Sequence, residues 1–170
     1  MKTIMLIFSI LIILIVSMFS PPLEAQVQSQ QVAPNLSVSN ALPPPLVATE
    51  EEVRQFFVNY IERYTQKDLD GFLSLFSLRA VQNRKNGWEG IREIYADFFN
   101  QSQKIHYSMD DTRIEIYQNG VMVEARYEAS QTLKKRGEKK VWRGPIRWTL
   151  VKENGALKIL SLDYQYEKGF

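Results

Sequence analysis

The chain has 170 residues and not one of them is cysteine. That absence excludes disulfides, thiolate metal sites, a cysteine nucleophile and lipid attachment at a lipobox cysteine, so any folded unit here is held by packing alone. Histidine is almost as scarce, with His106 the only one. A single imidazole without a partner motif reads as a surface or structural residue rather than a catalytic base. Charge of one sign is also lacking: 21 Lys and Arg against 19 Asp and Glu leave a formal net charge of +2, too little to point to nucleic acid as a partner. No metal-ligand spacing and no cofactor motif stands in the sequence, so neither a metal nor a cofactor is expected.

The N-terminus is apolar where the rest is mixed. Lys2 precedes a run from Ile4 to Phe19, followed by Pro21, Pro22 and the small residue Ala25. This is an export signal, read either as a signal peptide over residues 1–25 cleaved after Ala25 or as an uncleaved membrane anchor. Residues 26–48 are Gln-, Ser- and Pro-rich, include Pro43, Pro44 and Pro45, and carry no charge. Such a segment buries too little surface to fold and is expected to be a linker. The folded unit is expected over 49–170, exported, periplasmic or anchored facing the periplasm, with membrane contact only through the N-terminal segment.

Thr49 followed by Glu52 makes a capping box, in which hydroxyl and carboxylate each satisfy a free backbone N–H at a helix start. Behind it, Val53, Phe56, Phe57, Tyr60, Ile61 and Tyr64 recur at three-and-four spacing and predict one apolar helical face. Leu69, Phe72, Leu73 and Phe76 repeat the pattern for a shorter second helix capped by Asp68. Ile91, Ile94, Tyr95, Phe98 and Phe99 predict a third, with Trp88 at its start.

From Lys104 the period falls to two. Val121, Val123, Ala125, Tyr127 and Ala129 alternate with polar residues, and Asn119-Gly120, Lys135-Arg136-Gly137-Glu138 and Glu153-Asn154-Gly155 supply hairpin turns. The expectation is an α+β fold: three N-terminal helices on a strongly curved, four-stranded antiparallel meander shaped as a cone. Gly144-Pro145 inside the third strand predicts a bulge or bend there, which leaves open whether Trp142 and Trp148 share a face.

The stretches TEEEVRQFFVNYIERYTQKDLDGFLSLFS, GWEGIREIYADFF and VWRGPIRWTLVKENGALKILSLDY together resemble the nuclear-transport-factor-2-like superfamily, the cone fold of the SnoaL and ketosteroid-isomerase-like proteins. More narrowly, the chain is similar to the domain appended to the C-terminus of some periplasmic L,D-transpeptidases. That activity needs a catalytic cysteine, so the resemblance does not imply it here. Enzymes of this fold place an Asp, often with a His or Tyr, in the cone; Asp163 beside Tyr164 is the candidate acid, whereas Asp110 and Asp111 are strand neighbours expected to point to opposite faces.

The ligand-binding candidates are Tyr60, Trp88, Tyr95, Tyr127 and Trp148, whose rings can stack on sugars, with Arg143 and Arg147 as clamps for a carboxylate. Each also has a plain structural reading, as core aromatics or as solvated arginines. Three functions follow. The favoured one is a non-catalytic extracytoplasmic module binding a cell-wall glycan or muropeptide-like ligand. The others are a module that forms a homodimer around a vestigial pocket, and a small isomerase or dehydratase using Asp163. The basic run Lys134-Lys135-Arg136 with Lys139 and Lys140 reads as a solvated hairpin tip open to anionic lipid or glycan.

Overall fold

A computed structural model describes residues 44–167. The expected export signal and all but the last residues of the expected linker lie outside the described residues. Packing begins before Thr49: Ala48 is buried, and the Val47 N–H donates to the Tyr117 carbonyl at 2.9 Å.

Helix α1 (Glu50–Gln66) starts at the capping box. The Thr49 hydroxyl accepts from Glu52 N–H at 3.2 Å and the Glu52 carboxylate accepts from Thr49 N–H at 2.7 Å. A cap of this kind stabilises a helix by about 1 kcal/mol. Glu52 also receives Lys152 Nζ at 3.0 Å, tying the helix start to the sheet; the Thr49 amide first, and Lys152 second, hold its carboxyl below the usual range. The apolar stripe is buried as the spacing predicts, Val53, Phe56, Phe57, Tyr60 and Tyr64 all facing inward.

The second helix is much shorter than expected. Asp68 does cap it, accepting from Gly71 N–H at 3.0 Å, but α2 (Leu69–Leu73) spans one turn and a half. Phe76 instead opens a strand, β1 (Phe76–Gln82). Its ring still enters the core beside Phe72, 5.4 Å between centroids, so the three-and-four spacing was real while the backbone left the helix to pair. Helix α3 (Trp88–Gln101) then buries Ile91, Tyr95 and Phe99.

Four long strands follow: β2 (Ser102–Ile116), β3 (Val121–Leu133), β4 (Lys139–Glu153) and β5 (Ala156–Tyr164). They form the expected antiparallel meander, but the sheet has five strands and is mixed, in the order β1-β5-β4-β3-β2, with β1 parallel to β5. The extra strand lies at an edge, its register broken between Phe76 and Val81, and its Leu78 is 75% exposed. An edge strand with so irregular an alternation carries no period-two signature to read.

The bulge expected at Gly144-Pro145 is absent: β3 and β4 pair without a shift from Val121–Leu150 to Thr132–Lys139. The irregularities of the meander fall between Ser102 and Lys104 and between Asp110 and Arg113 against β3, and between Thr149 and Leu150 against β5. Proline is tolerated because Pro145 presents its carbonyl to the β5 side, where Gln165 N–H meets it at 3.1 Å; its missing N–H is on that same side, beyond the last residue of β5. Glycine is needed for a different reason: a Cβ on Gly144 would stand 2.4 Å from the Gln165 carbonyl oxygen.

Helices and sheet meet in an aromatic seam. Trp148, fully buried on β4, packs edge-on against Phe57 at 4.8 Å and Tyr60 at 5.8 Å, and Tyr64 touches Phe72, Tyr95, Phe99 and Tyr107. Each large apolar side chain taken from water in this way contributes about 1.5–3 kcal/mol before entropy is counted.

Candidate aromatic binding cavity

The unbroken register of β4 against β3 settles the phase of its side chains. Trp142, Ile146, Trp148 and Leu150 all face the helices; Arg143, Pro145 and Arg147 face outward and are exposed. On β5 the same rule turns Tyr164 inward and Asp163 outward, where it accepts from Ser161 Oγ at 3.2 Å and sits opposite Arg147.

Between the helices and the inner face lies a cavity of about 280 Å³. Its wall is a ring of phenols: Tyr60 and Tyr64 from α1, Tyr95 from α3, Tyr107 from β2, Tyr127 from β3 and Tyr164 from β5. Ile94, Phe98, Trp142, Ala129, Ile146 and Tyr166 complete it, and among the described residues no charged side chain takes part. The volume is at the small end for ligand sites, enough for one ring rather than an extended chain.

Three buried polar atoms among the described residues have no hydrogen-bond partner: Tyr107 Oη, Trp148 Nε1 and Gln82 Oε1. Tyr107 lines the cavity. Trp148 lies against Tyr60 on its inner side, and Gln82 reaches Tyr164 Oη through Nε2 at 3.3 Å. An unsatisfied buried donor costs about 1–3 kcal/mol, and that cost is recovered when a ligand supplies the partner.

Burial holds these phenols in the neutral form. It raises Tyr60, Tyr64, Tyr95 and Tyr107 well above the ordinary tyrosine value; for Tyr60 the indole of Trp148 and the hydroxyls of Tyr107 and Tyr95 act in the opposite direction, close enough to favour a phenolate but without the geometry of a hydrogen bond. Tyr127 is pushed up to about 12, by burial first and then by Tyr164. Tyr164 is raised by burial too, against hydrogen bonds from Asn83 and Gln82. At neutral pH the wall therefore offers neutral hydrogen-bonding groups and π faces, and no base.

Of the sequence candidates, the cavity collects Tyr60, Tyr95 and Tyr127, with Trp148 behind Tyr60. Trp88 stands elsewhere, half-buried in a surface hollow with Asp70, Ser74 and Arg92. Arg143 and Arg147 are on the outer face, paired with Glu128 at 3.6 Å and with Glu124 through Nε at 2.7 Å. Asp163 lies with Arg147 in an open outer groove, together with Arg113, Arg126 and Asp111. Asp110 and Asp111 are both exposed at the irregularity of β2, where Asp111 takes φ 49°, and His106 is exposed. The sequence points to Tyr164 only as the neighbour of Asp163, and to Tyr64, Tyr107 and Trp142 not at all as site residues. Tyr107 and Tyr164 occupy inward positions of alternating strands, a signal that becomes usable only once the register is known.

Among the described residues, no helix is long and apolar enough to cross a membrane, and no cluster of three or more His, Asp or Glu side chains could hold a metal ion.

The architecture is shared with known structures. A nuclear transport factor 2-like superfamily protein from Salmonella enterica serovar Typhimurium superposes with a TM-score of 0.61 at 18% identity, over 70% of this chain and 92% of that one. Aln2 from a Streptomyces species gives a TM-score of 0.58 at 22% identity, over 71% and 93%. Bd1075 from Bdellovibrio bacteriovorus gives 0.61 at 9% identity over 69% of this chain, but the match covers only 41% of that longer protein. At these identities the likeness is one of fold. No curated protein matches the chain by sequence. The model of the SnoaL-like domain matches residues 53–161, from α1 through most of β5, and the chain belongs to that family.

Proposed function

We propose that the protein is a non-catalytic, extracytoplasmic binding module of the cell envelope whose inner cavity takes one neutral ring, such as a sugar of a cell-wall glycan or muropeptide. One observation carries this reading: a phenol-lined cavity with no charged side chain has an unpartnered Tyr107 hydroxyl in its wall and an unpartnered Trp148 indole behind it. Folds of this family serve both binding proteins and isomerase- or dehydratase-type enzymes, so the decision rests with the site. Moving a proton beside a carbonyl needs a base ionised near neutrality. The phenols here are held protonated, and Asp163 is on the other face of the sheet. Stacking on Trp142 and Tyr127, with a hydrogen bond at the unpartnered Tyr107 hydroxyl in the wall, is what the cavity can do. The apolar run Ile4 to Phe19 supports export.

The test is a panel of N-acetylglucosamine, muramyl dipeptide and disaccharide muropeptides, read by tryptophan fluorescence and melting temperature. At least one member should shift both, and Trp142→Ala, at the cavity wall, should weaken that response about tenfold or more. A panel without any shift would sink the proposal, and so would a response that Trp142→Ala leaves intact.

A further inference from the structure

The β3–β4 hairpin concentrates charge that the rest of the chain balances. Lys134, Lys135, Arg136, Lys139 and Lys140 stand against one carboxylate, Glu138, in a protein whose net charge is +2. All six side chains are exposed, and none of the five cations pairs with a carboxylate among the described residues. Lys104 on β2 pairs with Thr132, which pairs in turn with Lys139, so an exposed sixth cation borders the tip on the outer face.

The tip is held in place. Lys134 N–H donates to the Gln101 carbonyl at the end of α3 at 2.9 Å, and Leu133 N–H to the Glu138 carbonyl at 2.8 Å. Gln131 Nε2 reaches the Phe98 carbonyl at 3.2 Å. Arg136 and Gly137 both sit in the left-handed region, at φ 66° and 63°, which matches the twist of the hairpin.

Next to this charge the surface turns aromatic and aliphatic. Trp142 packs on Phe98 at 5.7 Å, both half-buried; with Ile94, 37% exposed, and Tyr166, 60% exposed, they border the cavity, while Val141 on the opposite face of β4 is 42% exposed. Glu93 and Asp97 on α3 are exposed and confine the positive surface to the hairpin.

Lysines next to aromatic and aliphatic side chains suit a bilayer interface, where cations meet anionic headgroups and the rings settle at headgroup depth. A soluble polyanion would use the charges and leave the apolar rim without a role. We propose that the β3–β4 hairpin and the rim formed by Ile94, Phe98, Trp142 and Tyr166 dock on an anionic phospholipid surface, placing the cavity mouth at the headgroups. The hairpin cations stand outside the cavity wall, so their part of this surface does not depend on what the cavity holds.

The test uses the full chain in vesicles of phosphatidylcholine alone, or with added phosphatidylglycerol, and follows backbone hydrogen exchange over residues 133–141. Because any contact made by the N-terminal apolar run is common to both vesicles, the hairpin signal reads docking separately. Exchange in the hairpin should slow about tenfold or more only on the anionic vesicles, and the protection should vanish in high salt and in Lys134→Gln/Lys135→Gln/Lys139→Gln/Lys140→Gln. The variant should keep the wild-type melting temperature, since these side chains are solvated. Equal exchange on the two vesicles overturns the proposal. Protection by soluble heparin without protection by anionic vesicles overturns it too, in favour of a polyanion partner.

Discussion

Raising the pH beyond 10 should unfold the protein in one steep, cooperative transition. Tyr60, Tyr64, Tyr95 and Tyr107 are all raised above the ordinary value of 10.0 by burial. The folded state binds these protons more tightly than the unfolded chain, so their contribution is complete below pH 10 and is lost as the pH climbs toward the folded values. Above pH 10 the unfolded chain sheds phenolic protons that the folded chain keeps, and each such group lowers stability by about 1.4 kcal/mol per pH unit. Four buried phenols therefore remove about 5 kcal/mol per unit, against a total stability of about 5–15 kcal/mol for a domain. Circular dichroism and tyrosinate absorbance should change together, between one and three units above pH 10 as an order-of-magnitude window. Tyrosinate absorbance amounting to more than the two exposed phenols, Tyr117 and Tyr166, that rises around pH 10 while the circular dichroism stays native would show that the buried phenols are open to solvent, contrary to this packing.

Trp148→Ala should destabilise the protein by about 3–5 kcal/mol, close to the whole stability of a marginal domain. The indole is fully buried where β4 meets α1, with the rings of Phe57 and Tyr60 packed against it. Trp142→Ala makes the internal comparison, because that ring is half-buried at the cavity wall and its removal should cost well under half as much. Urea titrations of both variants check the pair, with the midpoint falling sharply for Trp148→Ala at an unchanged slope. Equal losses for the two variants would mean that the seam between sheet and helices is not centred on Trp148.

The parts of the fold that were legible in the sequence are those where one periodicity governs a long segment. The face of α1 from Val53 to Tyr64 and the inward row of β3 from Val121 to Ala129 were readable because a single side of each element is buried. Phe76 defeats this rule: its spacing from Leu69, Phe72 and Leu73 is helical, yet pairing of β1 with β5 recruits it into a strand, and that pairing is a long-range event. Gly144-Pro145 misleads for a similar reason. Both residues answer to the approach of Gln165, which the local sequence does not reveal, and not to a bulge.

The site was less legible than the fold because a binding wall and a hydrophobic core use the same aromatic residues. Tyr60, Tyr95 and Tyr127 could be singled out by type, but only the register brings them to Tyr107, Trp142 and Tyr164 around one space. The arginines were the weaker guide. Arg143 and Arg147 alternate with inward residues on β4, and their exposed carboxylate pairs with Glu128 and Glu124 are of the kind worth only a few tenths of a kcal/mol up to about 1.

The central claim is that the inner phenolic cavity, and not the charged outer groove, receives the ligand. Chemical-shift mapping of the isotopically labelled protein with saturating muramyl dipeptide tests it most directly. Shifts are expected at the Trp142 and Trp148 indole N–H groups and at Tyr107 and Tyr127, with Arg147 and Asp163 unmoved; shifts confined to Arg113, Arg126, Arg147 and Asp163 would contradict the claim.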